Sequence, residues 1–179
     1  MKYCSNCAAE LVQKIPPGDN MPRYVCESCG AIHYQNPNII AGCLPVWEDK
    51  ILLCKRAIEP RYGLWTMPAG FMENGETTEE AALRETFEEA KANVELTGLY
   101  LVQSIPQINQ VYLIFRGDLK DLDFGPGEES LEVELFKEEE IPWDALAFPI
   151  VNKTLEYFFE DRTHSQFGIH VGDIIRPPR

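Results

Sequence analysis

A segment near the middle of the chain, residues 69–89, runs from a glycine-containing loop into a stretch rich in glutamate. Thr77 and Glu80 have the spacing of a capping box, in which each side chain accepts a hydrogen bond from the other residue's backbone N–H. Alanine, leucine and phenylalanine follow without an interrupting proline or glycine. The segment therefore predicts a loop that leads into a helix starting next to Thr77.

The carboxylates of this helix are concentrated on one side. Glu85, Glu88 and Glu89 lie at positions i, i+3 and i+4, where side chains are neighbours and like charges destabilise the helix. Arg84, one turn before Glu88, neutralises part of this charge. A hard divalent cation, Mg²⁺ or Mn²⁺, prefers oxygen ligands and is expected to neutralise the rest. The alternative is a solvated acidic helix face that binds nothing.

The spacing of these residues is similar to a known motif. It consists of Gly70, five residues, Glu76, seven residues and then Arg84-Glu85-Thr86-Phe87-Glu88-Glu89. This pattern resembles the Nudix box, which marks a family that hydrolyses nucleoside diphosphates linked to another group. Two positions depart from the family pattern: Thr86 replaces an aliphatic residue, so its hydroxyl needs a partner, and Lys91 replaces the glycine that ends the helix. The second departure predicts a longer helix that stops at Asn93.

The resemblance implies a fold and a metal site. The fold is α/β, a Nudix α/β/α sandwich with a mixed sheet. By position, the magnesium ligands are the carboxylates of Glu85 and Glu89, with Glu88 bridging or adjoining them as a catalytic residue and the backbone carbonyl of Ala69 completing the set. Arg84 is expected to orient the glutamates through charge-assisted hydrogen bonds.

Further roles are assigned to the loop before the helix and to a later loop. Gly70 is expected to let the backbone turn sharply, and Glu76 is expected to anchor the loop. In the family the general base often lies outside the box, which makes Glu128, Glu129 and Glu132 the candidates here. Glu129 is favoured because it stands at a predicted junction of loop and strand. The alternative for all three is a solvated strand edge.

Two Cys-x-x-Cys pairs define the first thirty residues. They are Cys4, Cys7, Cys26 and Cys29, with eighteen residues between the pairs. Two such turns facing each other make a tetrahedral site for structural Zn²⁺. A disulfide pairing is a weaker interpretation because nothing else indicates an oxidising compartment, and a thioredoxin-like redox motif lacks its βαβ unit. His33 is expected to be a surface or packing residue because four cysteines already complete the ligand set.

The chain divides into three predicted segments. They are a zinc ribbon at 1–34, a Nudix hydrolase domain at 35–162 and a C-terminal tail at 163–179. Apolar alternation and turn residues predict strands at 39–47, 50–56, 94–103, 107–117 and 131–135, and an amphipathic helix at 148–162.

Charge and hydropathy exclude several functions. The formal net charge of −13 argues against nonspecific binding to nucleic acid or to an anionic membrane. The ribbon has no basic stripe, which favours a scaffold or dimerisation role over nucleic-acid binding. No apolar run approaches the roughly 20 residues that span a bilayer, and the start lacks a signal-peptide pattern. A cytoplasmic protein that acts on small nucleotides is expected.

The substrate is less constrained than the reaction. Ribbon-containing NADH pyrophosphatases carry a Ser-Gln-Pro-Trp-Pro-Phe-Pro stretch after the box, whereas this chain has Gln-Ser-Ile-Pro-Gln at 103–107. The chain more closely resembles plant chloroplast FAD and ADP-ribose pyrophosphatases, so FAD or ADP-ribose is expected. Alternatives are NADH, a sugar nucleotide, and a nucleotide-binding regulator without turnover. Trp65, Phe71 and Tyr112 are candidates for stacking on a base, and the family expectation is a homodimer.

Overall fold

The computed structural model describes residues 1–175, and its contacts divide the chain into two compact units after Pro37. The first unit is a three-stranded antiparallel sheet. Its strands are β1 (Val12–Lys14), β2 (Arg23–Val25) and β3 (Ile32–His33). The two Cys-x-x-Cys pairs lie in turns of the same kind. Ala8 N–H donates to the Cys4 carbonyl in the first turn and Gly30 N–H donates to the Cys26 carbonyl in the second, each at 2.9 Å. Two equivalent turns are the frame expected of a zinc ribbon.

The second unit is built on a mixed sheet of eight strands. These are β4 (Asn38–Trp47), β5 (Lys50–Arg56), β6 (Trp65–Thr66), β7 (Ala69–Phe71), β8 (Val94–Ile105), β9 (Gln110–Leu119), β10 (Ser130–Phe136) and β11 (His170–Asp173). The main order is β10–β5–β4–β9–β8–β11, with β6 paired to β5 and β7 paired to β4. The β4–β9 and β8–β11 pairs are parallel and the others antiparallel. The strands predicted from apolar alternation are all present in this sheet, although the one predicted at 107–117 begins only at Gln110, because Pro106–Ile108 form a short 3₁₀ helix.

Two α-helices, α1 (Thr78–Ala90) and α2 (Pro149–His164), cover opposite faces of the sheet. Side chains alternate between the faces of a strand, and in β4 Leu44 packs in the cluster that contains Leu155 of α2, whereas Cys43 packs in the cluster that contains Ala90 of α1. Short 3₁₀ helices occur at Pro106–Ile108, Glu138–Glu140 and Trp143–Ala145. This arrangement confirms the expected α/β/α sandwich with a mixed sheet. Within residues 1–175, neither α-helix is long and apolar enough to cross a membrane.

The start of α1 is confirmed and its predicted end is wrong. Thr77 is the N-cap, and the capping box with Glu80 is complete. The helix does not run to Asn93, because Lys91 itself takes the left-handed cap conformation, with φ 51°, and its N–H donates to the Phe87 carbonyl. The position where the family has glycine is therefore still the helix cap, although a residue with a Cβ atom, such as lysine, adopts this left-handed backbone conformation at some cost.

The buried face of α1 is also not the one its apolar residues suggest. Leu83 and Phe87, the two largest apolar side chains of the helix, are exposed, while the helix buries its alanines, Thr86 and two of its glutamates. The Thr86 hydroxyl donates to the Ala82 carbonyl at 2.7 Å, which satisfies it inside the core. The helix thus turns carboxylates rather than its largest hydrocarbons toward the sheet.

Residues 163–179, predicted as a tail, contribute an edge strand to the sheet. The strand β11 runs parallel to β8. Asp161 of α2 connects it to the core, because its Oδ2 accepts from the Tyr100 hydroxyl at 2.9 Å and lies 2.8 Å from His170 Nε2. Tyr157 stacks on the His170 ring at a centroid distance of 4.0 Å. Residues 176–179 of the predicted tail lie outside the described residues.

Candidate active site

The ribbon brings its four cysteine sulfurs together. The Sγ atoms of Cys4, Cys7, Cys26 and Cys29 all lie within 4.8 Å of one another. The Cys4–Cys29 and Cys7–Cys26 sulfurs are 3.7 Å and 3.4 Å apart, too far for disulfides at about 2.05 Å but close to the spacing of about 3.8 Å around a tetrahedral Zn²⁺. Backbone N–H donors, foremost that of Cys29, lower the pKa of the Cys26 thiol to about 7, which favours the thiolate. The ribbon therefore fits structural zinc.

His33 lies beside this centre. Its Nε2 is 3.3 Å from Cys4 Sγ, within hydrogen-bond reach of a ligand sulfur. The prediction of a surface or packing residue missed this contact. A hydrogen bond to a ligand sulfur orients the ligand and stabilises its negative charge.

Replacing Cys26 with serine is expected to lower zinc content from about one ion per chain to near zero and to unfold the ribbon, because a ribbon this small depends on the metal for its folding energy. Elemental analysis together with NMR of the ribbon amides measures both effects. Cys54→Ala is the matched control, since Cys54 is buried in the second unit and packs beside Leu52. Equal zinc content in Cys26→Ser and wild type would contradict the assignment.

The second unit contains a cleft of about 970 Å³ in which acidic, basic and apolar side chains meet. The acidic residues are Glu73, Glu85, Glu88, Glu89, Glu128 and Glu129, and the basic residues are Arg56, Arg61, Arg84 and Lys91. They come from α1 and its C-cap, from the end of β5 and the loop that follows it, from the loop between β7 and α1, and from the loop between β9 and β10. A cleft with both charge signs fits a metal-bound polyanion better than a simple cation or anion.

The strand β7 forms the floor beside the helix. Ala69 and Gly70 pair with Gly42 and Ala41 of β4. The sequence predicted that glycine at position 70 serves a sharp turn, which is wrong, because Gly70 lies in a strand and does not have positive φ. A Cβ atom at this position would instead collide with the carboxylate of Glu85. Glycine is required so that this carboxylate can lie directly against the strand.

Arg84 holds three glutamates and the loop together. Its guanidinium donates to both carboxylate oxygens of Glu76 at 2.8 and 3.0 Å, to Glu85 at 2.7 Å and to Glu88 at 3.0 Å. A further bond reaches the Phe71 carbonyl at 3.1 Å. Glu76 also accepts from the Glu73 N–H at 2.6 Å, and hydrogen bonding to Arg84 lowers the pKa of Glu76 to about 2. The geometry agrees with an orienting arginine and with Glu76 as the loop anchor.

Glu85 and Glu89 are buried carboxylates, exposed by only 9% and 6%. Burial raises the pKa of Glu85, and it raises the pKa of Glu89 to about 8, with the charge of Glu85 as the next cause. The Ala69 backbone N–H opposes that rise. Glu89 Oε2 has no hydrogen-bond partner among residues 1–175. A buried carboxylate oxygen without a donor is costly, so this oxygen marks a place for a ligand with positive charge.

The three candidate bases differ in their surroundings. Glu129 lies near enough to Glu85 and Glu89 for its charge to raise the pKa of both. Glu128 lines the same cleft. Glu132 lies on β10 and forms an ion pair with Lys55 at 2.8 Å. The structure therefore brings Glu129 to the buried glutamates and places Glu132 in a surface pair.

Sequence reasoning missed two arginines of the cleft, Arg56 and Arg61. Arg56 stands at the end of β5, with Nε donating to the Pro60 carbonyl at 2.9 Å and its guanidinium 5.1 Å from the centre of the Phe148 ring. In the described part of the chain it forms no ion pair, yet its charge opposes the raised pKa of Glu89. The sequence did contain a signal for this role, because Arg56 stands at the end of a predicted strand and is followed by a loop with the turn residues Pro60 and Gly63.

The aromatic candidates separate into core and cleft. Trp65 is buried and packs edge-on against Phe136 at 4.9 Å, so it belongs to the core. Phe71 and Tyr112 line the cleft, and Phe71 is 54% exposed. These two rings provide apolar surface at the site.

Family comparisons cover most of the chain. Residues 2–35 match a zinc-ribbon family described as Nudix N-terminal, and residues 37–158 match the NUDIX domain. A crystal structure of a NUDIX hydrolase from Nitrosomonas europaea is 56% identical, with a TM-score of 0.95, and covers 98% of this chain and 100% of that one.

Two curated relatives carry names that describe an activity. The NAD-capped RNA hydrolase NudC of Chromobacterium violaceum is 32% identical over 132 residues, which are 73% of this chain and 48% of that protein. An ADP-ribose pyrophosphatase of Methanocaldococcus jannaschii is 31% identical over 113 residues, which are 61% of this chain and 67% of that protein. The chain spans about half the length of the NAD-capped RNA hydrolases it matches.

Proposed function

The chain belongs to the Nudix hydrolase family, and from this premise we propose that it hydrolyses the pyrophosphate bond of a nucleoside diphosphate derivative, with ADP-ribose or FAD as favoured substrates. The observation that carries the proposal is the buried Oε2 of Glu89 next to Glu85, which has no hydrogen-bond partner among residues 1–175 and lies at the edge of a cleft that also holds Arg56. A protein that only bound nucleotide would gain nothing from burying two carboxylates side by side.

The donor set fits Mg²⁺ or Mn²⁺. Carboxylate and carbonyl oxygens are the ligands these ions prefer, and Ala69, Glu85, Glu88 and Glu89 offer them around the orphaned oxygen. When bound, a divalent ion neutralises charge on the diphosphate oxygens and acidifies a bound water. Glu85 and Glu89 are desolvated and lie side by side with raised pKa values, an arrangement that a bound cation would stabilise.

The protein residues position the reactants and move the proton. Glu129 accepts a proton from the attacking water while the water oxygen forms a bond to phosphorus. The bridging P–O bond breaks, which gives two monophosphates. Arg84 keeps Glu85 and Glu88 oriented through its hydrogen bonds. Phe71 and Tyr112 offer ring surface for a base or flavin to stack on.

The favoured substrates rest on chemistry and on relatives. An ADP-ribose pyrophosphatase is among the relatives and supports ADP-ribose, whereas FAD rests on the resemblance alone. NAD-capped RNA is a second candidate because several relatives are named for it, so the expected absence of nucleic-acid partners is open to test. From the resemblance we also propose a cytoplasmic homodimer, which light scattering after size-exclusion chromatography would examine.

A phosphate-release panel tests the function. Wild-type protein is assayed with and without Mg²⁺ on ADP-ribose, FAD, NADH, sugar nucleotides, nucleoside triphosphates and a short NAD-capped RNA, with phosphatase added to reveal monophosphate products. We expect one dominant metal-dependent substrate, with ADP-ribose or FAD in that place. Zinc-loaded, folded protein that is inactive on the whole panel would contradict the proposal.

Arg56→Gln is expected to lower kcat/KM by about 10- to 100-fold, mainly through KM, because a guanidinium that pairs with no carboxylate among the described residues is available to a substrate phosphate. Steady-state kinetics on the preferred substrate measures the change. Arg116→Gln is the control, since Arg116 lies over Phe167 away from the cleft. Equal losses in both variants would contradict a specific phosphate contact.

A further inference from the structure

The loop between β9 and β10 is fastened to the C-terminal end of α1. The last carbonyl groups of a helix have no donor within the helix. Here two loop glycines supply donors, because Gly125 N–H donates to the Ala90 carbonyl at 2.9 Å and Gly127 N–H to the Glu89 carbonyl at 3.0 Å. The second of these bonds ends on the backbone of a glutamate whose side chain lies in the cleft.

The two glycines are not equivalent. A Cβ atom on Gly127 would collide with the carbonyl of Glu88, whereas one on Gly125 would meet no atom within 4 Å. Neither residue has positive φ, so backbone freedom does not explain either glycine. Position 127 therefore requires glycine because the loop lies directly on the helix backbone there.

The same loop is also held at Glu129, two residues after Gly127. Ala57 N–H, one residue beyond β5, donates to the Glu129 carbonyl at 2.8 Å, and Ser130 N–H donates to the Gly127 carbonyl at 3.2 Å. Glu129 is thus fixed between the end of α1 and the end of β5. Its side chain is exposed and forms no ion pair in the described residues, so the backbone contacts are what place it.

We infer that Gly127 is a positioning residue, which together with the Ala57 hydrogen bond holds the Glu129 carboxylate at the buried glutamates. The inference rests on the proposed function, in which Glu129 accepts the proton of the attacking water. A side chain at position 127 lifts the loop from the helix, and Glu129 moves with it. Shifts of about 1 Å at a reacting group lower rates by up to about 10²-fold.

A double-mutant cycle tests the inference on the full-length, zinc-loaded protein. Gly127→Ala is expected to lower kcat by about 10- to 100-fold with KM changed less than about threefold. Glu129→Gln is expected to lower kcat by about 10²-fold or more. If Gly127 acts through Glu129, the double variant stays within about threefold of Glu129→Gln. Gly125→Ala is the matched control and should keep wild-type kinetics.

Two outcomes would contradict the inference, and a third would contradict the proposed function instead. Additive losses in the cycle would mean that Gly127 does not act through Glu129. Loss of the Mg²⁺-dependent rise in melting temperature in Gly127→Ala would mean the same, because the substitution would then have disturbed the metal site itself. If Gly127→Ala does not fold, Ala57→Pro takes the place of Gly127→Ala in the same cycle. Proline at position 57 removes the N–H that donates to the Glu129 carbonyl. An inactive wild type would instead contradict the proposed function, which separates the two failures.

Discussion

Glu89→Gln protein is expected to turn over its preferred substrate about 10²- to 10³-fold more slowly than wild type while still binding nucleotide. Glutamine keeps the shape of the side chain and removes its negative charge. Glu89 is exposed by only 6% and its Oε2 has no hydrogen-bond partner among the described residues, so glutamine would place a neutral group where we propose that a cation binds. Steady-state kinetics and equilibrium nucleotide binding measure the two properties separately.

Two further glutamine variants make this test specific. Glu79 lies on the exposed first turn of the same helix, and Glu79→Gln should keep wild-type activity. Glu88 is 57% exposed and already paired with Arg84, so Glu88→Gln is expected to lose less activity than Glu89→Gln. If wild type and Glu89→Gln hydrolyse every substrate equally, the acidic cluster is not the catalytic centre.

The sequence predicted those parts of the site that depend on local spacing. The capping box at Thr77 and Glu80 and the reach of Arg84 to Glu88 follow from helical periodicity, which is fixed by 3.6 residues per turn. The four ribbon cysteines follow from the same kind of short-range rule. Where a role depends on residues within one or two turns, the chain alone contains the geometry.

Other features depend on close approach between distant segments. Gly70 is needed because Glu85 lies against it, and Gly127 because it rests on the backbone of Glu88. Neither requirement has a local signal, since a glycine is usually assigned to a turn. Arg56 likewise acquires its place only when the loop after β5 closes on the Pro60 carbonyl.

The errors in the end of α1 and in the C-terminal segment have physical causes. The helix was expected to reach Asn93 because lysine is a poor left-handed residue, yet Lys91 ends it, and the loop glycines at 125 and 127 then cap the last carbonyls. The cost of one strained residue is of order 1 kcal/mol, which two hydrogen bonds offset. The strand β11 was missed because its contacts to β8 are parallel and about seventy residues distant in sequence.

Free of Mg²⁺ and Mn²⁺ at pH 9, Glu89→Gln protein is expected to be more stable than wild type by on the order of 3 kcal/mol. Burial raises the pKa of Glu89 from its ordinary 4.5 to about 8 in the folded protein. Between these two pH values the folded state binds a proton that the unfolded chain has released. The free energy of unfolding of wild type therefore falls as pH rises toward 8, and glutamine removes this slope because it does not titrate.

Thermal unfolding from pH 5 to pH 9 measures the effect, with dialysis used to remove divalent ions because EDTA would also strip the ribbon zinc. The two proteins should unfold at similar temperatures near pH 5 and differ by roughly 5–10 °C at pH 9. Glu79→Gln is the control and should follow wild type, and added Mg²⁺ should raise the melting temperature of wild type far more than that of Glu89→Gln. Parallel curves for wild type and Glu89→Gln would mean that Glu89 is already ionised without a metal. A gain in stability in Glu89→Gln would show that the ionised Glu89 carboxylate lowers the free energy of unfolding of the metal-free protein. A cation bound to this carboxylate is expected to reverse that effect.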